Sequence, residues 1–237
     1  MKFTEAKLEQ AIIELLGEQG YPHLSGAELS RSKSEVLIKD DLRAFLAMRY
    51  ASKNITSGEI DSIIKKLESL SASDLYESNK TFCKWLSDGF LLKRESGEAA
   101  GSASQKDLYI QLLDFDNVSQ AVKESLLTNF SVTEHQPDLA EVAESQAKYS
   151  ASSISHSISK KNSDVNIYRF VNQLEIESSS TQVNNEKRIP DGILYINGLP
   201  LVVFEFKSAI REQAPISEAF DQLTIRYRRA ISQLFVF

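Results

Sequence analysis

The run Gly192–Phe206 constrains the fold more than any other stretch of the chain. Ile193 to Ile196 and Leu201 to Phe206 are β-branched and aromatic segments, and Asn197-Gly198 between them is a strong hairpin signal. Alternate residues of a strand share a face, so Val203, Glu205 and Lys207 point one way while Val202, Phe204 and Phe206 point the other. Asp191 stands just before the first strand. With a two-residue turn, Ile196 pairs with Leu199 and Asp191 falls opposite Phe204, on the wrong face. With a three-residue loop, Ile196 pairs with Pro200 and Asp191 falls directly opposite Glu205, about 5 Å away at Cβ. Pro200 has no N–H to give the ladder and suits the edge of such a loop.

Two carboxylates and an ammonium at the end of an apolar hairpin are costly to bury and serve no packing need. They suit a divalent cation and an attacking water, the equipment for cutting a phosphodiester. In the second register Asp191 and Glu205 supply hard oxygen ligands of the kind Mg2+ prefers. Lys207, one alternation along from Glu205, can orient or help deprotonate the water and offset phosphate charge. The bland alternative is an exposed hairpin end with an ordinary Glu–Lys pair.

Pro190 to Ser208, PDGILYINGLPLVVFEFKS, resembles the signature hairpin of the PD-(D/E)xK nuclease core. It is specifically similar to that of the R (restriction, motor-bearing) subunit of type I restriction enzymes. Phe3 to Tyr21 resembles that family's opening helix, Asn166 to Glu177 the strand before the hairpin, and Ile216 to Phe237 the helix and strand after it. The resemblance implies an α/β domain with a restriction-endonuclease-like core: a mixed central sheet flanked by helices, with helical insertions. It also implies Mg2+-dependent hydrolysis of double-stranded DNA, with separate methylation and specificity subunits as partners. ATP would belong only to motor domains, since this chain has no Gly-x-x-x-x-Gly-Lys-[Ser/Thr] loop. The chain is then expected to be a fragment of a longer subunit, stopping inside a buried strand at Leu234 to Phe237. Two other classes compete: a non-catalytic DNA-binding or docking module on the same scaffold, and a stand-alone nuclease of the resolvase or repair type.

The opening segment reads independently as a helix, with Thr4 as N-cap, Gly20 as stop, and Leu8, Ile12, Leu15 and Leu16 facing a core. In related nucleases a first-helix Glu at similar spacing reaches the metal, which implies that role for Glu9, with Glu5 as competitor. A helix is expected from about Ser217 to Arg229, with Phe220, Leu223 and Tyr227 on one stripe. Family members often carry a Gln-x-x-x-Tyr element here that helps place the DNA and the active site. Gln222 fits it, but Tyr227 follows five residues later and Arg226 takes the usual place, so Tyr227 is left between site and core.

The net charge of −6 argues against general polyanion binding. From Lys187 to Arg229, however, there are seven Lys/Arg against five Asp/Glu, and two of those acids are the proposed ligands. Lys187, Arg188, Arg226, Arg228 and Arg229 are therefore the candidate DNA contacts, against the alternative of solvated charge. The single cysteine, Cys83, excludes an intrachain disulfide or a cysteine zinc cluster; beside Phe82 and Trp85 it is expected to be a buried small hydrophobe. With no signal peptide or long apolar span, the protein is expected to be soluble and cytoplasmic, without a membrane partner.

Between the two ends, Ser34 to Arg49, Ser57 to Ser69 and Asp74 to Gly89 read as amphipathic helices. They make residues 34–95 a candidate helical insertion lobe. Ser96 to Ser104 reads as a flexible turn and Asp107 to Phe115 as a strand. Residues 118–164 form a second candidate insertion, with helices at Ala121 to Leu127 and Leu139 to Lys148 and a serine-rich stretch from Tyr149 to Ser163.

Overall fold

The structure is a computed structural model and describes residues 4–94, 107–115, 166–178, 186–207 and 216–237. One unit comprises Met1–Leu113 and Val165–Phe237; of a second, Asp114–Asp164, only Asp114 and Phe115 are described. The expected turn at 96–104, helices at 121–127 and 139–148, and serine-rich stretch at 149–163 lie outside the described residues.

Four strands form a mixed sheet in the order β1 (His23–Ser25), β4 (Tyr168–Asn172), β7 (Gly192–Ile196), β8 (Leu199–Phe204). β1 runs parallel to β4, and the other two pairings are antiparallel. Two small antiparallel pairs stand beside it, β2 (Phe90–Leu92) with β3 (Leu108–Ile110), and β5 (Ile176–Glu177) with β6 (Lys187–Arg188). The helices are α1 (Glu5–Glu18), α2 (Lys39–Arg49), α3 (Ser57–Glu68), α4 (Leu75–Asp88) and α5 (Ile216–Asp221). α5 continues through a π-helical segment, Gln222–Tyr227, a short α-turn, Arg228–Ala230, and a 3-10 turn, Ser232–Val236. Among the described residues no helix is long and apolar enough to cross a membrane.

Two apolar clusters flank this framework. One joins α2, α3 and α4 to the hairpin through Leu42, Phe45, Ile63, Leu67, Phe82 and Leu199. The other covers the face carrying Val171, Ile193 and Tyr195 with Tyr227, Ile231 and Leu234. α3 follows the expected pattern: Ile60, Ile63, Ile64 and Leu67 are buried, and a capping box of Thr56 and Glu59 starts the helix. α2 begins five residues later than the apolar periodicity predicts, at Lys39 rather than Ser34. Val36, Leu37 and Ile38 alternate between clusters, the outer two in one and Leu37 in the other, as extended chain does. Arg169 on β4 holds Asp41 in the first turn of α2 through Nε and Nη2, the latter at 2.8 Å.

The hairpin turn is the two-residue form. Asn197 (φ +53°) and Gly198 (φ +76°) are both left-handed, as a type I′ turn requires, and Ile196 pairs with Leu199. The register then shifts: Tyr195 pairs with Pro200 but Leu194 with Val202, so Leu201 is the extra residue of a β-bulge. Beyond the bulge Gly192 pairs with Phe204, which sets Asp191 opposite Glu205. The face that the chemistry needs is thus reached by a bulge and not by the longer loop. Pro200, lacking a donor, sits next to the irregularity. Asn197 is fully buried: its backbone N–H donates to Ile167 O, its Oδ1 accepts from Ile167 N, and its Nδ2 donates to Leu112 O at 3.0 Å.

Four further expectations are corrected. α1 is capped by Thr4 as expected, yet none of its residues is buried; Leu8, Ile12 and Leu16 are half-buried and Leu15 is 50% exposed. The helix lies beside the edge strand β1 and presents only part of its apolar stripe to protein. Cys83 is exposed, because Phe82 takes the inward position on α4 and the next residue turns away. The apolar run at the C-terminus is buried, but as the 3-10 turn Ser232–Val236 and not as a strand. Asp107 to Phe115 contributes only the short β3.

Candidate active site

The candidate residues meet at one end of the sheet, where β4 and β8 end and β7 begins. Asp191 Oδ2 accepts a hydrogen bond from the Phe206 backbone N–H at 2.6 Å, which ties the two arms of the hairpin together beyond the last strand pair. Lys207 Nζ lies 2.6 Å from Glu205 Oε1, and the Glu205 side chain is only 3% exposed. Glu9 reaches the same end from α1, where Oε1 accepts from Asn172 Nδ2 at 2.8 Å and from Gln173 Nε2 at 3.1 Å. Glu5, its competitor, is exposed at the first turn of α1.

Burial pushes the Asp191 carboxyl up to about 6, with the charges of Glu205 and Glu9 adding to the effect and the Phe206 N–H and Lys207 opposing it. An excess of negative charge around a half-buried acid is what a bound cation would relieve. Among the described residues, though, no three His, Cys, Asp or Glu side chains close around a common point.

Tyr227, open in the sequence between site and core, packs in the core and touches Glu205. Its ring is buried in the cluster beneath β7. Its hydroxyl lies 2.9 Å from Glu205 Oε2 and 3.3 Å from the Ile189 carbonyl, and it accepts from Gln222 Nε2 at 2.8 Å. A hydroxyl has one proton, and the closer, charged acceptor takes it. In an α-helix, residues five apart point about 140° away from each other. The π-helical segment has an i→i+5 repeat and brings Gln222 and Tyr227 onto one face. The same repeat breaks the expected apolar stripe, leaving Phe220 63% exposed. Tyr227→Phe leaves Glu205 Oε2 without this donor. Stability should fall by about 1–3 kcal/mol, read by urea denaturation.

The basic candidates do not gather around the carboxylates. Lys187 lies 3.3 Å from Glu175, and Arg188 and Arg229 both approach Glu186, at 3.0 and 3.9 Å. Arg228 and Arg229 line an open cleft of about 660 Å³ with Asp74, Tyr76 and Ile225, and Arg226 is exposed. His23, which lacks metal-ligand spacing in the sequence, bonds Asn172 Oδ1 at 2.8 Å.

Known proteins resemble the chain throughout. The family described as Type I restriction enzyme R protein N terminus matches residues 2–237. The type I restriction enzyme HindI endonuclease subunit of Haemophilus influenzae is 27% identical over 242 residues, covering 99% of this chain and 18% of that protein. A putative type I restriction enzyme MjaIXP endonuclease subunit of Methanocaldococcus jannaschii is 25% identical over 88% of the chain and 16% of its own length. From the same organism, a putative MjaVIIIP endonuclease subunit is 33% identical over 78 residues, 33% of the chain and 7% of that protein. The chain thus spans less than a fifth of the length of these relatives.

Proposed function

The chain belongs to the family of type I restriction enzyme R protein N termini, and from that premise we propose that it is a PD-(D/E)xK endonuclease domain that cuts double-stranded DNA. It would work within a complex whose methylation and specificity are supplied by other subunits and whose ATP is used by motor domains outside this chain. The observation that carries the reading is the convergence of Asp191, Glu205 and Lys207 at the open end of the hairpin, beyond its bulge.

The donor set fits a hard divalent cation such as Mg2+. Asp191 and Glu205 offer carboxylate oxygens from opposed positions; burial raises the Asp191 carboxyl, and the like charges of Glu205 and Glu9 that add to it favour a cation there. Glu9, facing Asp191 from α1, is the third oxygen donor of the reading. When bound, the metal would supply an activated water and offset the charge of the scissile phosphate.

The protein groups have separate tasks. Lys207 carries positive charge beside the carboxylates, where it can orient the water and donate to a phosphate oxygen. Tyr227, steadied by Gln222, fixes the second oxygen of Glu205 so that the carboxylate presents one orientation. The candidate DNA contacts are the exposed Lys187, Arg226, Arg228 and Arg229 and the half-buried Arg188, which would track the backbone without reading sequence.

The test is nicking of supercoiled plasmid with Mg2+ or EDTA, by this chain and by the longer subunit that contains it. Lys207→Ala and Glu205→Ala should each lower the rate about a thousandfold. Cleavage that survives both substitutions in both contexts sinks the assignment. Retained DNA binding without cleavage in either unsubstituted protein favours the non-catalytic module instead.

A further inference from the structure

Gln173 follows the last residue of β4 with φ +51°. The other non-glycine residues with positive φ among the described residues are Asn54 and Asn197, of a type that tolerates the left-handed region; glutamine does so far less readily. A strained residue at a functional site asks what holds it there. Its backbone N–H points to the Asp191 carbonyl at 3.4 Å, one step beyond the Asn172–Gly192 pair. Its side-chain amide donates to Glu9 Oε1, the oxygen that Asn172 also reaches. Consecutive residues of a strand point to opposite faces and cannot share one acceptor. The left-handed turn at Gln173 cancels that alternation, so both amides close on the same carboxylate. His23 completes the arrangement: it occupies Asn172 Oδ1, which turns the Asn172 amino group toward Glu9.

We infer that Gln173 is a positioning residue, kept in a strained conformation so that it and Asn172 fix Glu9 against Asp191 as part of a divalent-cation site. The inference rests on the nuclease reading and adds two residues outside the hairpin signature to its site. One residue thereby holds the backbone of Asp191 and the side chain of Glu9 in register.

The experiment compares the full chain with Gln173→Gly, using Mn2+ as the probe. Binding is read by electron spin resonance titration and stability by thermal unfolding without metal. Glycine accepts the left-handed backbone and relieves the strain, so the variant should unfold at the same or a higher temperature. It lacks the amide, so it should bind Mn2+ about 10- to 100-fold more weakly. A merely structural residue would show the reverse, lower stability with unchanged affinity. Mn2+ binding equal to the parent's, or a lower unfolding temperature, overturns the inference while leaving the nuclease reading intact. Absence of Mn2+ binding in the parent chain itself overturns the cation site and the inference with it.

Discussion

On the proposed nuclease reading, Asp191→Asn should lower Mg2+-dependent cleavage about a thousandfold while making the metal-free chain more stable at neutral pH. The two effects share a cause. Asp191 is half-buried, its carboxyl is pushed up from 3.8 to about 6 by burial, and Glu205 and Glu9 face it with like charge while Lys207 opposes them. Between these two values the folded chain holds more protons than the unfolded chain, so stability falls as pH rises through that window. Above about pH 6 the full penalty applies, and below about pH 3.8 it vanishes. Asparagine carries no charge and can still accept from the Phe206 N–H. The variant should gain about 1 kcal/mol at pH 7–8, a discounted figure because solvent screens a partly exposed group, or roughly 2–4 °C in Tm. Thermal scans from pH 3.5 to 8 should show the gain appearing as pH passes from 4 to 6. Saturating Mg2+ should raise the parent's Tm and leave the variant's almost unchanged. A variant less stable than its parent at pH 7.5 would contradict the electrostatic account.

Gly198→Ala should be the most damaging single methyl in the hairpin. Gly198 has φ +76°, and a Cβ there would lie 2.1 Å from the Ile38 carbonyl oxygen and 3.1 Å from Leu42 N. Neither atom can swing aside, because both belong to the backbone entering α2. The turn is also clamped, since Ile38 N–H donates to the Gly198 carbonyl at 2.9 Å. Left-handed strain alone costs about 1–2 kcal/mol, and backbone overlap raises the total to about 3 kcal/mol or more. The loss should appear as a lower urea midpoint with the slope unchanged. On the proposed nuclease reading cleavage should fall too, as this turn begins the register that ends at Asp191 and Glu205. A midpoint within error of the parent's would show that the turn can move away from α2.

How far the sequence reaches is clear at this hairpin. The period of two placed Glu205 on the face of Val203, and Val203 does pack in the cluster that contains Tyr227, whose hydroxyl meets Glu205. The route to that register was not legible. Leu201 has no property that marks a bulge, and only the pairing of both strands with their neighbours exposes the extra residue. Local signals held where one cluster claims a helix face, as in α3. They failed where consecutive residues serve different clusters, as at Val36 and Leu37. Exposure of Cys83 followed from which way α4 turns, a fact that its apolar neighbours Phe82 and Trp85 obscured. The roles of Asn172 and Gln173 carried no sequence signal, since one depends on a broken strand alternation and both depend on a partner more than 160 positions away.

The π-helical segment changes what counts as a neighbour along the last helix. Gln222 and Tyr227 are out of phase by α-helical arithmetic and side by side in space. A helix that can switch between the two repeats can gain or lose one residue without rotating the side chains at either end. Length is therefore a poor guide to equivalence in this segment. An alignment that forbids a gap between Gln222 and Tyr227 would pair the tyrosine of a Gln-x-x-x-Tyr chain with the exposed Arg226 and leave the buried Tyr227 without a counterpart.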